Sequence, residues 1–158
     1  MEKILRPTRL KRTIILAVFF TCMVANILGQ ANSGYAQVNG LKMYYEVHGS
    51  GQPLVLLHGA FNTINMAFEQ LIPELSKTRR ILAVELQGHG RTADIDRPFS
   101  FESMADDVAA LLKYLKIDSA DIFGYSMGGY VAMWLAKHHP EKVKKVVTLA
   151  TKFYWDEN

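Results

Sequence analysis

The chain has one cysteine in 158 residues, Cys22, and it lies inside an apolar N-terminal run. A single thiol supports no disulfide argument, and a product processed after that run would carry none. No internal repeat and no low-complexity tract appears. The phosphate-binding patterns Gly-x-Gly-x-x-Gly and Gly-Lys-Ser/Thr are missing too. Gly124-Tyr125-Ser126-Met127-Gly128-Gly129 has neither form, and Gly88-His89-Gly90 is only a two-glycine turn. Away from the N-terminus there is also no excess of one charge. Of 18 basic and 15 acidic residues, Lys3, Arg6, Arg9, Lys11, Arg12 and Glu2 fall in the first twelve, which leaves 13 and 14, net −1 against +3 for the whole. The basic balance belongs to the leader, so no nucleic-acid partner is implied.

What is there begins with that leader. A basic head, an apolar stretch over 13–28 and small residues at Gly29, Ala31, Ser33 and Gly34 describe a secretory signal peptide. Residues 1–33 are assigned to it, with cleavage near 29–33, and the product is expected to be secreted or periplasmic. The apolar run of about 16 residues is short for the roughly 20 a membrane span needs. An uncleaved anchor is the alternative, and any membrane contact would come through it.

From Gly34 onward the apolar content, 49% against 21% charged for the whole chain, reads as one globular domain, 34–158. Period-two runs flank Asn39-Gly40, the strongest short signal for a hairpin, with Leu41, Met43, Tyr45 and Val47 on one face. Leu54–Leu57 and Arg80–Leu86 read as strands buried on both faces of a parallel sheet. A helix is expected over 65–77, interrupted at Pro73. A second helix, capped by Ser100, carries Met104, Val108, Leu111, Leu112 and Leu115 as one apolar stripe. Asp106, Asp107 and Asp121 read as solvated or capping acids. The strand Ser119–Tyr125 leads into a helix over 127–139 that Pro140 stops, and Val143–Ala150 is a last strand. Met133, Trp134 and Leu135 are expected to face the core. Strands alternating with helices predict an α/β fold: a doubly wound, mostly parallel sheet preceded by an antiparallel hairpin. Ligands of such sheets bind at the carboxyl ends of the strands, where His58, Gly88 and Ser126 all fall.

Gly124-Tyr125-Ser126-Met127-Gly128 between a strand and a helix has the layout of a nucleophile elbow. Ser126 would occupy a sparsely allowed backbone conformation. Gly124 and Gly128 leave room where a Cβ would collide with the turn or the neighbouring strand. Serine attack on a carbonyl needs two preorganised donors for the oxyanion. The backbone N–H of Met127 is one candidate, and that of Ala60, in the loop His58-Gly59-Ala60, is the other. His58 itself reads as a residue that orders this loop rather than as a base.

Taken together, the Asn39-Gly40 hairpin, Tyr44-Tyr45-Glu46-Val47-His48-Gly49, Leu56-Leu57-His58-Gly59, Gly88-His89-Gly90-Arg91-Thr92 and the elbow resemble the N-terminal half of an α/β-hydrolase-fold serine hydrolase. They occur in that family's order across nearly the whole of 34–158. His58, Gly59, Gly88, Gly90, Gly124 and Gly128 are the structural positions of the shared motifs. The resemblance implies hydrolysis of a carboxylic ester, lactone or related acyl bond of a small molecule through an acyl-serine, with no metal and no organic cofactor. Serine at the elbow argues against the haloalkane dehalogenase and epoxide hydrolase branches, whose nucleophile is Asp. Glu85 departs from the family's usual Asp before the Gly-x-Gly turn.

Only 32 residues follow Ser126. In the family an Asp or Glu and then a His come later in the chain. At roughly 1.5 Å per helical residue, His138 lies about 18 Å down the helix that leaves the elbow, beyond the reach of a base. The fold is therefore expected to stop before the lid and last strands, with an open sheet edge prone to aggregation. The chain alone is expected to have no significant esterase activity. Phe153, Tyr154 and Trp155 would either begin the missing pocket or pack beside the last strand. A non-catalytic exported or membrane-anchored module, or a decayed gene product that keeps the scaffold, is the rival reading.

Overall fold

The computed structural model describes residues 32–152. The leader, its cleavage point and the aromatic run at 153–155 lie outside the described residues. Strands β1 (Asn32–Val38) and β2 (Leu41–His48) pair antiparallel, with Val38 opposite Leu41. The turn between them has φ of 48° at Asn39 and 83° at Gly40, as a two-residue hairpin loop with the sheet's twist requires. β1 starts at Asn32 rather than at Gly34, because Asn32 and Ser33 also pair, with Val47 and Glu46.

β3 (Gln52–Leu57) is followed by two short helices, α1 (Ile64–Phe68) and α2 (Leu71–Leu75), in place of the one helix expected over 65–77. Pro73 explains the break. A continuous helix would drive its ring into the carbonyl of Glu69 and leave that carbonyl without a donor. The chain therefore restarts at Gln70, which puts Pro73 in the first turn of α2. β4 (Arg79–Val84), α3 (Phe101–Tyr114), β5 (Ala120–Tyr125), α4 (Met127–His138), a 3₁₀ turn (Pro140–Lys142) and β6 (Val143–Leu149) complete the order. Ser100 caps α3 by accepting the N–H of Ser103 at 3.1 Å.

The sheet runs β1-β2-β4-β3-β5-β6. β4, β3, β5 and β6 are mutually parallel, and β2 joins them antiparallel through β4. α3 and α4 cover one face over a core that includes Met43, Val55, Val84, Leu111, Ile122 and Leu135. α1 and α2 cover part of the other, where Ile64, Phe68 and Ile72 meet Leu56 and Ile81. Among the described residues β6 pairs only with β5, and Val147 and Leu149 stay more than half exposed.

Of the three acids expected to be solvated or capping, Asp106 is exposed and pairs with His139. Asp121 is half-buried and pairs with Arg79 at 2.6 Å. Asp107 departs from the expectation: it is wholly buried. Three residues after Met104 and four before Leu111, it lies within the apolar stripe of α3 and has to turn inward. Its charge is tolerated there because the Arg97 guanidinium and the Asn39 side-chain amide, at 3.0 Å, both bind it. The loop before α3 and the hairpin turn are thereby tied to that helix.

Candidate active site

The parallel pairings put the ends of β4, β3 and β5 side by side, so the loops that leave them converge. Ser126 joins β5 to α4 with φ 50° and ψ −113°, a conformation few non-glycine residues adopt. Backbone bonds hold it there. Its N–H donates to the Leu149 carbonyl at 2.8 Å, and its carbonyl accepts from the Gly129 N–H at 2.9 Å and the Thr151 hydroxyl at 3.1 Å. The Ser126 hydroxyl does not cap the helix it opens, which leaves it for other work.

Close approach explains both flanking glycines. A Cβ on Gly124 would sit 2.6 Å from the Gly128 carbonyl carbon. One on Gly128 would sit 2.5 Å from the Leu57 carbonyl carbon and 2.7 Å from the His58 oxygen. Gly59 is less tightly hemmed in on the other side, where a Cβ would come within 3.3 Å of Ser126 Cβ. The strand–helix turn and the loop after β3 are thus pressed together. Ala60, Ser126 and Met127 line one cleft. Phe61, next to Ala60, has φ 58° and is 93% exposed, a second strained residue at the same site.

His58 is fully buried, and both of its nitrogens are engaged. Nε2 accepts the Leu86 N–H at 3.1 Å, so the ring proton sits on Nδ1 and donates to the Gly59 carbonyl at 2.7 Å. Burial, above all, pushes its pKa down, and the ring is neutral. Glu85, also fully buried, joins two loops. Its carboxylate accepts from Arg91 and from the Ile64 N–H at 3.4 Å, where the loop carrying Ala60 enters α1. Burial alone would raise its pKa, but the Arg91 bonds and charge outweigh burial and the net shift is downward. Gly90 is hemmed in by this carboxylate, 2.7 Å from where its Cβ would be, and Gly88 turns the loop with φ 72°.

None of the five histidines donates to or accepts from Ser126. His48 pairs with Glu46, His89 bonds the Gln87 carbonyl at 2.8 Å, His138 stacks on Trp134 and His139 pairs with Asp106. Among the described residues no group of His, Cys, Asp and Glu could hold a metal ion.

Four aromatic residues at the cleft, Phe99, Phe101, Tyr130 and Trp134, were not anticipated. Trp134, expected in the core, is only partly buried and lines the Ser126 cleft, whereas Leu135 beside it is fully buried. Tyr130 stacks on Phe101 with ring centroids 5.1 Å apart. The signal was present in the spacing: 126, 130 and 134 step by four, so one face of α4 runs from the serine to both rings.

A family model described as the alpha/beta hydrolase fold matches residues 52–158. The chain belongs to that family. Over 97 residues it is 42% identical to a pimeloyl-(acyl-carrier protein) methyl ester esterase of Neisseria meningitidis, covering 61% of this chain and 29% of that protein. Over 114 residues it is 33% identical to a soluble epoxide hydrolase of a Corynebacterium species, covering 72% and 40%. Among solved structures it is similar to Est816, described as an N-acyl homoserine lactone degrading enzyme. The TM-score is 0.69 at 33% identity, over 74% of this chain and 45% of that one. This α/β-hydrolase-fold chain spans between 29% and 41% of the length of the first curated relatives. Its six strands and flanking helices are part of the family's fold.

Proposed function

We propose that the chain carries the nucleophile and oxyanion half of a hydrolase that cleaves a carboxylic ester, lactone or related acyl bond. One observation carries the reading: Ser126 is held in a strained conformation at a strand–helix junction, with its hydroxyl unspent and α4 opening directly behind it. Ser126 Oγ would attack the carbonyl carbon. The oxyanion would then face the N–H groups of Met127, at the positive end of the α4 dipole, and of Ala60. Collapse would expel the alcohol and leave an acyl-serine for water to hydrolyse.

The serine proton needs an acceptor, and none of the five histidines is bonded to Ser126. Loss of the base costs on the order of 10⁶ in serine hydrolases, so this polypeptide by itself should not turn over esters. The esterase and lactonase relatives favour acyl chemistry, and serine at the elbow separates the chain from the epoxide hydrolase likeness. Export rests on the leader pattern alone; no helix of the described residues is long and apolar enough to cross a membrane.

A thiol tests the site without a base, because a cysteine at a helix N-terminus ionises by itself. In a Cys22→Ser background, Ser126→Cys should release one equivalent of p-nitrophenol from p-nitrophenyl acetate in a burst and then stop, with the acyl group mapped to position 126. The unmodified chain should hydrolyse the ester no faster than Ser126→Ala. Acylation no faster than that of the same variant unfolded in urea would refute the reading.

A further inference from the structure

Two clefts open on either side of the elbow, and they differ in chemistry. One, of about 530 Å³, contains Ser126 and is walled by Phe99, Phe101, Tyr130 and Trp134. The other, of about 470 Å³, is lined by Asn62, Thr63, His89 and Asp94. They share Ala60, Phe99 and Met127, so they adjoin, and Ser126 lines only the first. Neither cleft is lined by a lysine or an arginine among the described residues, and each is lined by one carboxylate. Glu102 is that residue in the aromatic cleft. In the polar cleft Asp94 is fixed by the Gln87 side-chain amide at 2.7 Å and the Ile95 N–H at 2.9 Å.

The two arginines of the same loop are bonded to other carboxylates, Arg91 to Glu85 and Glu46 and Arg97 to the buried Asp107, although Arg97 also reaches Gln87 beside Asp94 and its charge is felt there. In the first turn of α3 Ser100 takes the Ser103 N–H, and the Glu102 carboxylate itself offsets the positive end of the helix. The helix N-terminus at Met127 is the remaining attraction for an anion, and it faces the position of the reacting oxygen.

Resting on the acyl-serine reading above, we propose that this site takes uncharged substrates with an apolar arm: Phe101, Tyr130 and Trp134 hold the arm, and Glu102 and Asp94 exclude acids. A stacked aromatic wall rewards an aryl or alkyl group by burying its apolar surface. A carboxylate in either cleft would meet a like charge, and among the described residues no lysine or arginine lines either cleft, the nearby Lys137 lying over the Trp134 ring 5.0 Å from its centroid. In a solvated cleft that repulsion is worth about fivefold in affinity per contact.

The matched probes are 4-phenylbutanamide and 4-phenylbutyrate, titrated into the full-length chain while the Trp134 indole N–H is followed by NMR, assigned with Trp134→Phe. The amide should bind at least fivefold more tightly than the acid. An Asp94→Asn, Glu102→Gln double variant should narrow the gap to less than twofold. Trp134→Ala should weaken the amide by more than fivefold. Equal or tighter binding of the acid, a gap that survives the double variant, binding indifferent to Trp134→Ala, or no binding of either probe would overturn the proposal. Acylation at position 126 is a separate measurement. If it fails while the discrimination holds, the serine reading falls and the cleft assignment stands.

Discussion

The buried carboxylate of Glu85 holds Arg91 at three points: Nη2 at 2.6 Å, Nε at 3.0 Å and the backbone N–H at 2.5 Å. The same carboxylate reaches Ile64, so one side chain links the Gly88–Arg91 turn to the loop that carries Ala60. Glu85→Gln keeps the shape and removes the charge that Arg91 needs. Breaking a fully buried pair costs about 3–5 kcal/mol; with the Arg91 side chain 38% exposed, about 2 kcal/mol is expected. An unfolding free energy in urea lower by that amount, with the midpoint reduced at unchanged slope, would bear this out; no shift would contradict it.

Stability should fall with acid in two stages. His58 has its pKa lowered by burial, so between its folded value and about 6.5 the unfolded chain binds the proton that the folded chain refuses. Its contribution is complete above pH 6.5 and is lost as pH falls below, since a protonated Nε2 can no longer accept the Leu86 N–H. Glu85 is likewise lowered, with Arg91 overcoming burial, and its contribution is lost below about pH 4.3. The thermal midpoint should be level from pH 8 to 7, decline below 6.5 and drop further below 4.5. A midpoint that rises between pH 7 and 5.5 would contradict these assignments.

Gly128 and Gly40 make a matched pair for the elbow's packing. Gly40→Ala strains a φ of +83° but meets nothing within 4 Å, so it should cost about 1 kcal/mol. Gly128→Ala drives a methyl into the backbone of Leu57 and His58 and should cost about 3 kcal/mol or more. Equal losses in chemical denaturation would mean that the elbow and the loop after β3 are not pressed together as described.

Much of this was legible in the chain itself. The Asn39-Gly40 turn needed only its two residues, and the parallel strands needed only their unbroken apolar runs. The elbow followed from glycines two residues either side of Ser126. What stayed hidden depended on contacts distant in sequence. Asp107 reads as a surface acid until Arg97 and Asn39 are brought to it. Glu85 stands out only as a departure from the family's usual Asp, whereas its carboxylate joins residues 64 and 91. Trp134 reads as core from its apolar ring, although its four-residue steps from Ser126 and Tyr130 already put it on the serine's face of α4. The break between α1 and α2 was misplaced because Pro73 acts four residues upstream, on the Glu69 carbonyl, rather than where it sits.

Labelling with an alkyl fluorophosphonate, mapped by peptide mass spectrometry, is the decisive measurement, because the reagent is electrophilic enough to report a serine with the oxyanion donors proposed above and no bonded histidine. The account predicts slow formation of a single adduct at Ser126, lost in Ser126→Ala and on unfolding in urea. Labelling spread over the chain's serines at equal rates, or none at Ser126 in the folded chain, would contradict it.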